Sequence, residues 1–166
     1  QIIIERLCRE LIENHQDFKE TILVGMQPRG VLFCNRVEDR IKSILKLSEL
    51  QSGVLDISFF RDDFRRREEP IEPQYIKMDF SVESKKVILI DDVLYTGRST
   101  RSAIDALMSF GRPKSVELLV LIDRRFSRDL PIQANYIGTS VDVIDKEKVI
   151  VEWKETHVKD QVIMKK

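Results

Sequence analysis

The chain has 166 residues but only two cysteines, Cys8 and Cys34, and only two histidines. That is too few for a disulfide framework, and the four residues offer no zinc-ligand spacing. Charge of one sign is also missing in excess: 28 Lys+Arg balance 28 Asp+Glu, so the formal net charge is zero. That balance argues against a bulk polyanion binder, but not against a local basic patch. There is no signal-peptide pattern and no apolar run approaching about 18 residues. A soluble, cytoplasmic protein without membrane engagement is the expectation. Internal repeats, low-complexity tracts and a clear linker are lacking as well. No GxxxxGK[ST] is present, which excludes a Walker A loop. The chain opens on Gln1 rather than Met, and a few preceding residues are expected.

What is present is enough for one domain with its own core: 42% of the residues are hydrophobic and 34% charged. Ile4, Leu7, Cys8, Leu11 and Ile12 recur at helical spacing. Ile22 to Gly25 (ILVG) reads as a short buried strand. Leu32, Phe33, Val37, Ile41 and Ile44 predict a second helix, and Val54 to Phe60 (VLDISFF) a strand. Arg61 to Gln74 is polar, charged and interrupted by two prolines, the composition of a mobile loop. Val87 to Ile90 (VILI) is a strand. Thr100 to Phe110 is a helix with Ile104, Leu107 and Met108 turned inward, closed by Gly111 and Pro113. Val116 to Ile122 (VELLVLI) and Val149 to Trp153 (VIVEW) are further strands, the latter expected to be the last. Short apolar strands alternating with helices mean an α/β fold with a mostly parallel sheet covered on both faces. Ligands of such sheets bind beyond the carboxyl ends of the strands.

The residues beyond VILI carry the chemistry. In VILIDDVLYTGRST, an apolar strand runs into Asp91 and Asp92, then into a Gly-containing loop rich in hydroxyls. A strand, such a loop and a helix start present outward N–H groups and the positive end of a helix dipole, which suit a phosphate. Thr96, Ser99 and Thr100 can add hydroxyl donors, and Gly97 permits close approach. Two carboxylates supply hard oxygen ligands for Mg²⁺ or acceptors for sugar hydroxyls. Phosphate cradle and carboxylates together fit a ligand that is both phosphate and polyol. A merely solvated acidic loop is the competing reading. A phosphate-accepting receiver domain is disfavoured, because there the acidic pair follows the first strand.

The run Val87 to Ser99 resembles the phosphoribosyl-pyrophosphate (PRPP) signature of the type I phosphoribosyltransferases. DDVLYTGRSTRSAIDAL is similar, within that family, to the uracil phosphoribosyltransferases that also attenuate pyrimidine operons. ILVGMQPRG, DISFFRDD, GRPKSVELLVLIDR, RDLPIQANYIG and KEKVIV follow in that family's order, so the likeness spans nearly the whole chain. It implies a single domain, residues 1–166, with a flexible hood at about residues 61–80. It implies transfer of phosphoribosyl from PRPP to uracil, giving UMP and pyrophosphate, with Mg²⁺ as cofactor.

The same resemblance assigns roles residue by residue. Tyr95, Thr96, Gly97, Arg98 and Ser99 would form the 5′-phosphate loop. Asp91 and Asp92 would face the ribose hydroxyls and, directly or through water, Mg²⁺. Pro28, Arg29 and Gly30 would form the pyrophosphate loop, and Arg124 and Val149 would lie at the uracil pocket. The chain departs from the family pattern at Pro28 and Ser99, where threonines are usual. It departs again at Arg125, Phe126 and Ser127, which replace a Gly-His pair, so a transferase for another nucleobase stays open. An RNA leader as partner and a homodimer or higher homo-oligomer are also implied. The RNA-contacting positions hold Glu5, Arg9 and Asn14, with Arg6 kept, and Glu5 repels phosphate. Arg65, Arg66 and Arg67 form a basic cluster within the expected hood. A UMP-sensing RNA regulator with weak or no catalysis is therefore the alternative.

Overall fold

A computed structural model describes residues 1–57, 81–143 and 147–165. The expected hood at 61–80 and its arginine cluster lie outside the described residues. Helix α1 (Ile2–His15) leads to β1 (Thr21–Met26), α2 (Gly30–Leu45) and β2 (Ser52–Leu55). After these come β3 (Lys86–Leu94), α3 (Arg98–Leu107), β4 (Ser115–Arg125), β5 (Tyr136–Asp142), β6 (Lys148–Glu152) and β7 (Gln161–Lys165). The first five strands form one sheet in the order β2-β1-β3-β4-β5, and every pairing in it is parallel.

Side-chain alternation divides the sheet into two dry faces. Leu23, Ile88, Ile90, Leu119 and Leu121 face α1 and α2, which bury Leu7, Cys8, Leu11, Phe33, Val37 and Ile41 against them. Ile22, Val24, Val87, Leu89, Leu118 and Val120 face the opposite way, onto Ala103, Ala106 and Leu107 of α3. All six residues of β1 are buried, as a strand covered on both faces requires. From β1 the chain moves outward to β2, then returns to lay β3 on β1's other side. The strand order thus reverses between β1 and β3. Their following connections lead to helices on opposite faces, and a crevice opens between them.

Several expectations need correction. Strand β2 stops at Leu55; Asp56 and Ile57 are buried but not in a strand, and 58–60 lie outside the described residues. Helix α3 starts at Arg98 rather than Thr100 and gives way to a 3₁₀ turn at Met108–Phe110. Met108 is 49% exposed; the small Ala103 and Ala106 occupy the inner face beside Leu107 instead. VIVEW is neither the last strand nor part of the main sheet, since β6 pairs antiparallel with β7. That hairpin is held to α2 through Trp153, which stacks on Phe33 at 5.8 Å between centroids. Arg36 lies 4.5 Å over the same indole and donates to both carboxylate oxygens of Glu155 and of Asp160 at 2.6–2.8 Å. Its hydrogen bonds draw the Asp160 carboxyl down to about 2.

Strand β5 is an edge strand, and α1 guards it. Arg6 donates to the carbonyls of Ile137 (2.9 Å) and Gly138 (2.6 Å). A β-carbon at Gly138 would intrude on the Leu121 carbonyl oxygen and approach Ile3 Cγ2 to 2.9 Å. Gly138→Ala is therefore expected to destabilise the fold by about 1–3 kcal/mol, the usual cost of overpacking. Urea unfolding followed by circular dichroism checks this, and an unchanged midpoint would contradict the packing described.

Candidate active site

The site lies where the strand order reverses. The sequence placed the two aspartates just past a strand; the structure keeps both within β3, with Asp91 paired to Val120 of β4. Successive strand residues leave the backbone toward opposite faces, yet the two carboxyl groups stay within hydrogen-bonding reach of each other. Asp92 continues the face of Ile88 and Ile90, toward α2. Asp91 continues the face of Val87 and Leu89, toward α3. The Asp92 amide nonetheless donates to Asp91 Oδ1 at 2.9 Å.

Asp92 is 4% exposed, and its Oδ2 has no hydrogen-bond partner among the described residues. Burial pushes the Asp92 carboxyl above its ordinary range, with the Arg29 charge acting in the opposite sense. Burial also raises Asp91, and the Asp92 charge raises it further. Negative charge on these two groups is therefore costly and only partly offset by Arg29, and a cation or a cationic transition state would relieve it.

Arg29 faces this pair from the loop after β1. The Gln27–Pro28 peptide is cis, Pro28 and Arg29 are exposed, and Arg29 adopts φ −91°, ψ −34° at the start of α2. Gly30 lets that helix begin directly against β3. A β-carbon there would collide with the Ile90 carbonyl oxygen and lie 3.0 Å from Asp91 Cα. The pyrophosphate loop inferred from sequence and the carboxylates are thus brought to one place by a missing side chain.

The inferred phosphate loop closes the other side. Gly97 caps α3 with φ +89°, a left-handed conformation that disfavours any other residue. A β-carbon on Gly97 would point at Ile132 Cβ (3.2 Å) and Leu130 Cβ (3.5 Å). The glycine is therefore needed for backbone conformation and for this packing. Arg98 pairs with Asp129 (3.0 Å), and its amide reaches Thr96 Oγ1 at 3.4 Å. Ser99 is half-buried and Thr100 buried.

Arg124 is buried at 4% exposure, with its guanidinium 3.9 Å from the centroid of the half-exposed Tyr95 ring. Its Nε lacks a hydrogen-bond partner among the described residues. Phe126, in the replaced Gly-His segment, is 84% exposed with φ +63°. Val149 is placed differently from the other inferred residues: it is 7% exposed within the core cluster that holds Val151 and Trp153. Packing accounts for it. Arg128, which sequence reasoning did not single out, donates to the carbonyls of Leu94 (3.3 Å), Tyr95, Arg124 (3.1 Å) and Ile132 (3.0 Å), and pairs with Asp123. A separate cavity of about 720 Å³ opens beside Glu5, Arg36, Arg40 and Glu155; none of the crevice residues lines it.

A glycine loop at a helix start, an acidic pair with Asp92 buried, and an opposing arginine thus meet at the switch point of a parallel sheet. The phosphoribosyl transferase domain model matches residues 1–157, and the chain belongs to that family. Among curated proteins, the bifunctional protein PyrR of Desulfosudis oleivorans is 41% identical over 162 residues, covering 98% of this chain and 89% of that protein. The bifunctional protein PyrR of Enterococcus faecalis is 39% identical over 163 residues, covering 98% and 90%. Among solved structures, a hypoxanthine phosphoribosyltransferase from Staphylococcus aureus aligns with TM-score 0.63 and 26% identity, covering 90% of this chain and 77% of that one. A hypoxanthine-guanine phosphoribosyltransferase from Bacillus anthracis (TM-score 0.66, 16% identity, 84% and 78% covered) shares the fold. The chain is a PyrR-like phosphoribosyltransferase with the type I architecture.

A raised folded-state carboxyl contributes stability that is present below its ordinary value and is lost as pH rises through the folded value. Asp92 follows that sign. Asp92→Asn is therefore expected to raise the melting temperature of the ligand-free protein near neutral pH, by about 2–4 °C for each kcal/mol gained. The gain should fade as pH falls below 3.8, the ordinary aspartate value, where the native residue is also uncharged. Thermal melts at pH 7 and pH 3.5 check this; a variant less stable at pH 7 contradicts it.

Proposed function

We propose that this protein transfers the phosphoribosyl group of PRPP to uracil, forming UMP and pyrophosphate. The observation that carries the reading is an acidic pair, Asp92 buried and Asp91 half-buried, between an arginine loop and a glycine loop, all at one switch point. A leaving pyrophosphate needs the cationic side of such a crevice, the 5′-phosphate needs the amide side, and the ribose joins them. The likeness to the PyrR proteins supports uracil as the base.

In this reading the 5′-phosphate sits on the N–H groups around Thr96 to Ser99. Arg29 and the backbone of Pro28 and Gly30 hold the pyrophosphate. Bond cleavage at C1 of the ribose leaves positive charge on the sugar, which Asp91 and Asp92 stabilise electrostatically while the uracil nitrogen attacks. Tyr95 and Arg124 form a flat wall beside the loop. The donor set suits Mg²⁺: Asp92 offers a buried oxygen without a partner among the described residues, and Asp91 a second hard oxygen. No cluster of three or more metal-ligating side chains occurs among the described residues, so substrate oxygens and water would complete the shell. When bound, the ion neutralises charge on the leaving pyrophosphate. No helix among the described residues is long and apolar enough to cross a membrane, and a cytoplasmic homo-oligomer accords with the family likeness.

A second reading has an observation of its own, since the curated relatives are called bifunctional. On α1, however, Glu5 pairs with both Arg9 (2.8 Å) and Arg40, and Asn14 donates inward to the Tyr136 hydroxyl. Arg6 is engaged with β5. These contacts weaken the case for leader-RNA binding through that helix and favour transfer as the primary activity.

The test is pyrophosphate release with PRPP, Mg²⁺ and a panel of uracil, hypoxanthine and guanine. Uracil is expected to support turnover, and turnover only with a purine would overturn the base assignment. Asp91→Asn and Asp92→Asn should each cost about 2.7–4 kcal/mol of transition-state stabilisation, or roughly 10²–10³ in rate. Near-normal rates in both variants would remove the carboxylates from the mechanism.

A further inference from the structure

The segment that follows β4 folds back beneath the phosphate-type loop and takes up its carbonyl groups. Arg128 Nη1 donates to Tyr95 O and Leu94 O, and the backbone amides of Asp129 (3.0 Å) and Leu130 (3.2 Å) both donate to Thr96 O. The remaining bonds of Arg128, to the Arg124 and Ile132 carbonyls and to Asp123, tie the same guanidinium to the end of β4. Asp129 then pairs with Arg98 on the loop's far side.

Peptide geometry turns this pattern into a directional device. In a trans peptide the C=O and N–H point in opposite directions across a rigid plane. Holding Tyr95 O and Thr96 O toward residues 128–130 therefore aims the N–H groups of Thr96 and Gly97 away from that segment. Neither amide has a backbone partner outside the regular elements in the described residues. They join the open first turn of α3 on the side where an anion would lie. Aiming such donors before the ligand arrives removes the cost of turning them on binding.

We infer that Arg128 is a positioning residue, one that never touches substrate but orients the Thr96 and Gly97 amides toward the 5′-phosphate by fixing the carbonyls behind them. The inference rests on the proposed PRPP site. A planar guanidinium with five donors meets this set of acceptors; a lysine ammonium, with a single donor atom, cannot span them.

The experiment compares two anions that occupy different halves of the crevice. Binding of ribose 5-phosphate and of inorganic pyrophosphate is measured by calorimetry on the intact protein and on Arg128→Lys. The dissociation constant for ribose 5-phosphate should rise about tenfold or more in the variant, with that for pyrophosphate within twofold. Equal affinity of both proteins for ribose 5-phosphate, or parallel loss for both ligands, would overturn the inference. Ribose 5-phosphate binding that is absent from the unsubstituted protein would overturn the PRPP site itself, and the inference with it. A second measurement needs no variant. In ¹H–¹⁵N spectra of the unsubstituted protein, ribose 5-phosphate should shift the Thr96 and Gly97 amides and leave those of Asp129 and Leu130 in place. Shifts of the latter pair with the former unmoved would reverse the assignment.

Discussion

Everything at the crevice depends on the pairing of β1 with β3. These two strands are the most deeply buried, they lie side by side in parallel, and the chain leaves them toward opposite faces. That divergence is what opens a gap at the centre of an otherwise closed layer. It also fixes what the gap can contain: the loop after β1 brings the arginine, and the end of β3 itself brings the carboxylates. The apolar contacts that hold the strands in register, with Leu23 opposite Ile88 and Gly25 opposite Ile90, thereby set the position of groups that make no apolar contact of their own.

Much of this is legible in the residue order, for definite reasons. VILI is a continuous apolar run, and VELLVLI is one broken only by Glu117, because both faces of their strands are covered; α1 and α2 show a clean apolar stripe because each has only one face to bury. The acidic pair and the glycine loop stand out because they interrupt those patterns with residues a core would reject. Strand β5 escapes notice for the opposite reason. Its sequence, YIGTSVD, mixes three apolar or aromatic residues with glycine and polar ones in no regular alternation, and its edge is sealed by Arg6, a residue remote in the chain. Strand β7 is hidden in the same way, since three of its five residues are exposed and its support comes from the partner strand β6. Met108 misleads because helical spacing records polarity and not distance; α3 packs closely enough that alanines fit its inner face.

Arg128 is the instructive omission at the site. Its partners are mostly carbonyl oxygens, which every residue possesses, so no pattern of side chains could announce its role. The pairing of Glu5 with Arg9 and Arg40 shows the reverse situation. There the residue types were visible and their opposing charge could be read directly, but the structure adds that one carboxylate engages two cations at once. In both cases the deciding fact is which group is already committed, and commitment is a property of the fold.

The β6–β7 hairpin carries a consequence of a different kind. Trp153 is the chain's single tryptophan, it is 5% exposed, and it lies between the Phe33 ring and the Arg36 guanidinium of α2. The hairpin is a separate small sheet, so its detachment need not coincide with loss of the main one. Intrinsic indole fluorescence is therefore a local optical gauge of this one joint, silent about the crevice unless the two are mechanically linked. A change in emission on adding ligand would mean that events at the strand ends are felt on the far side of α2.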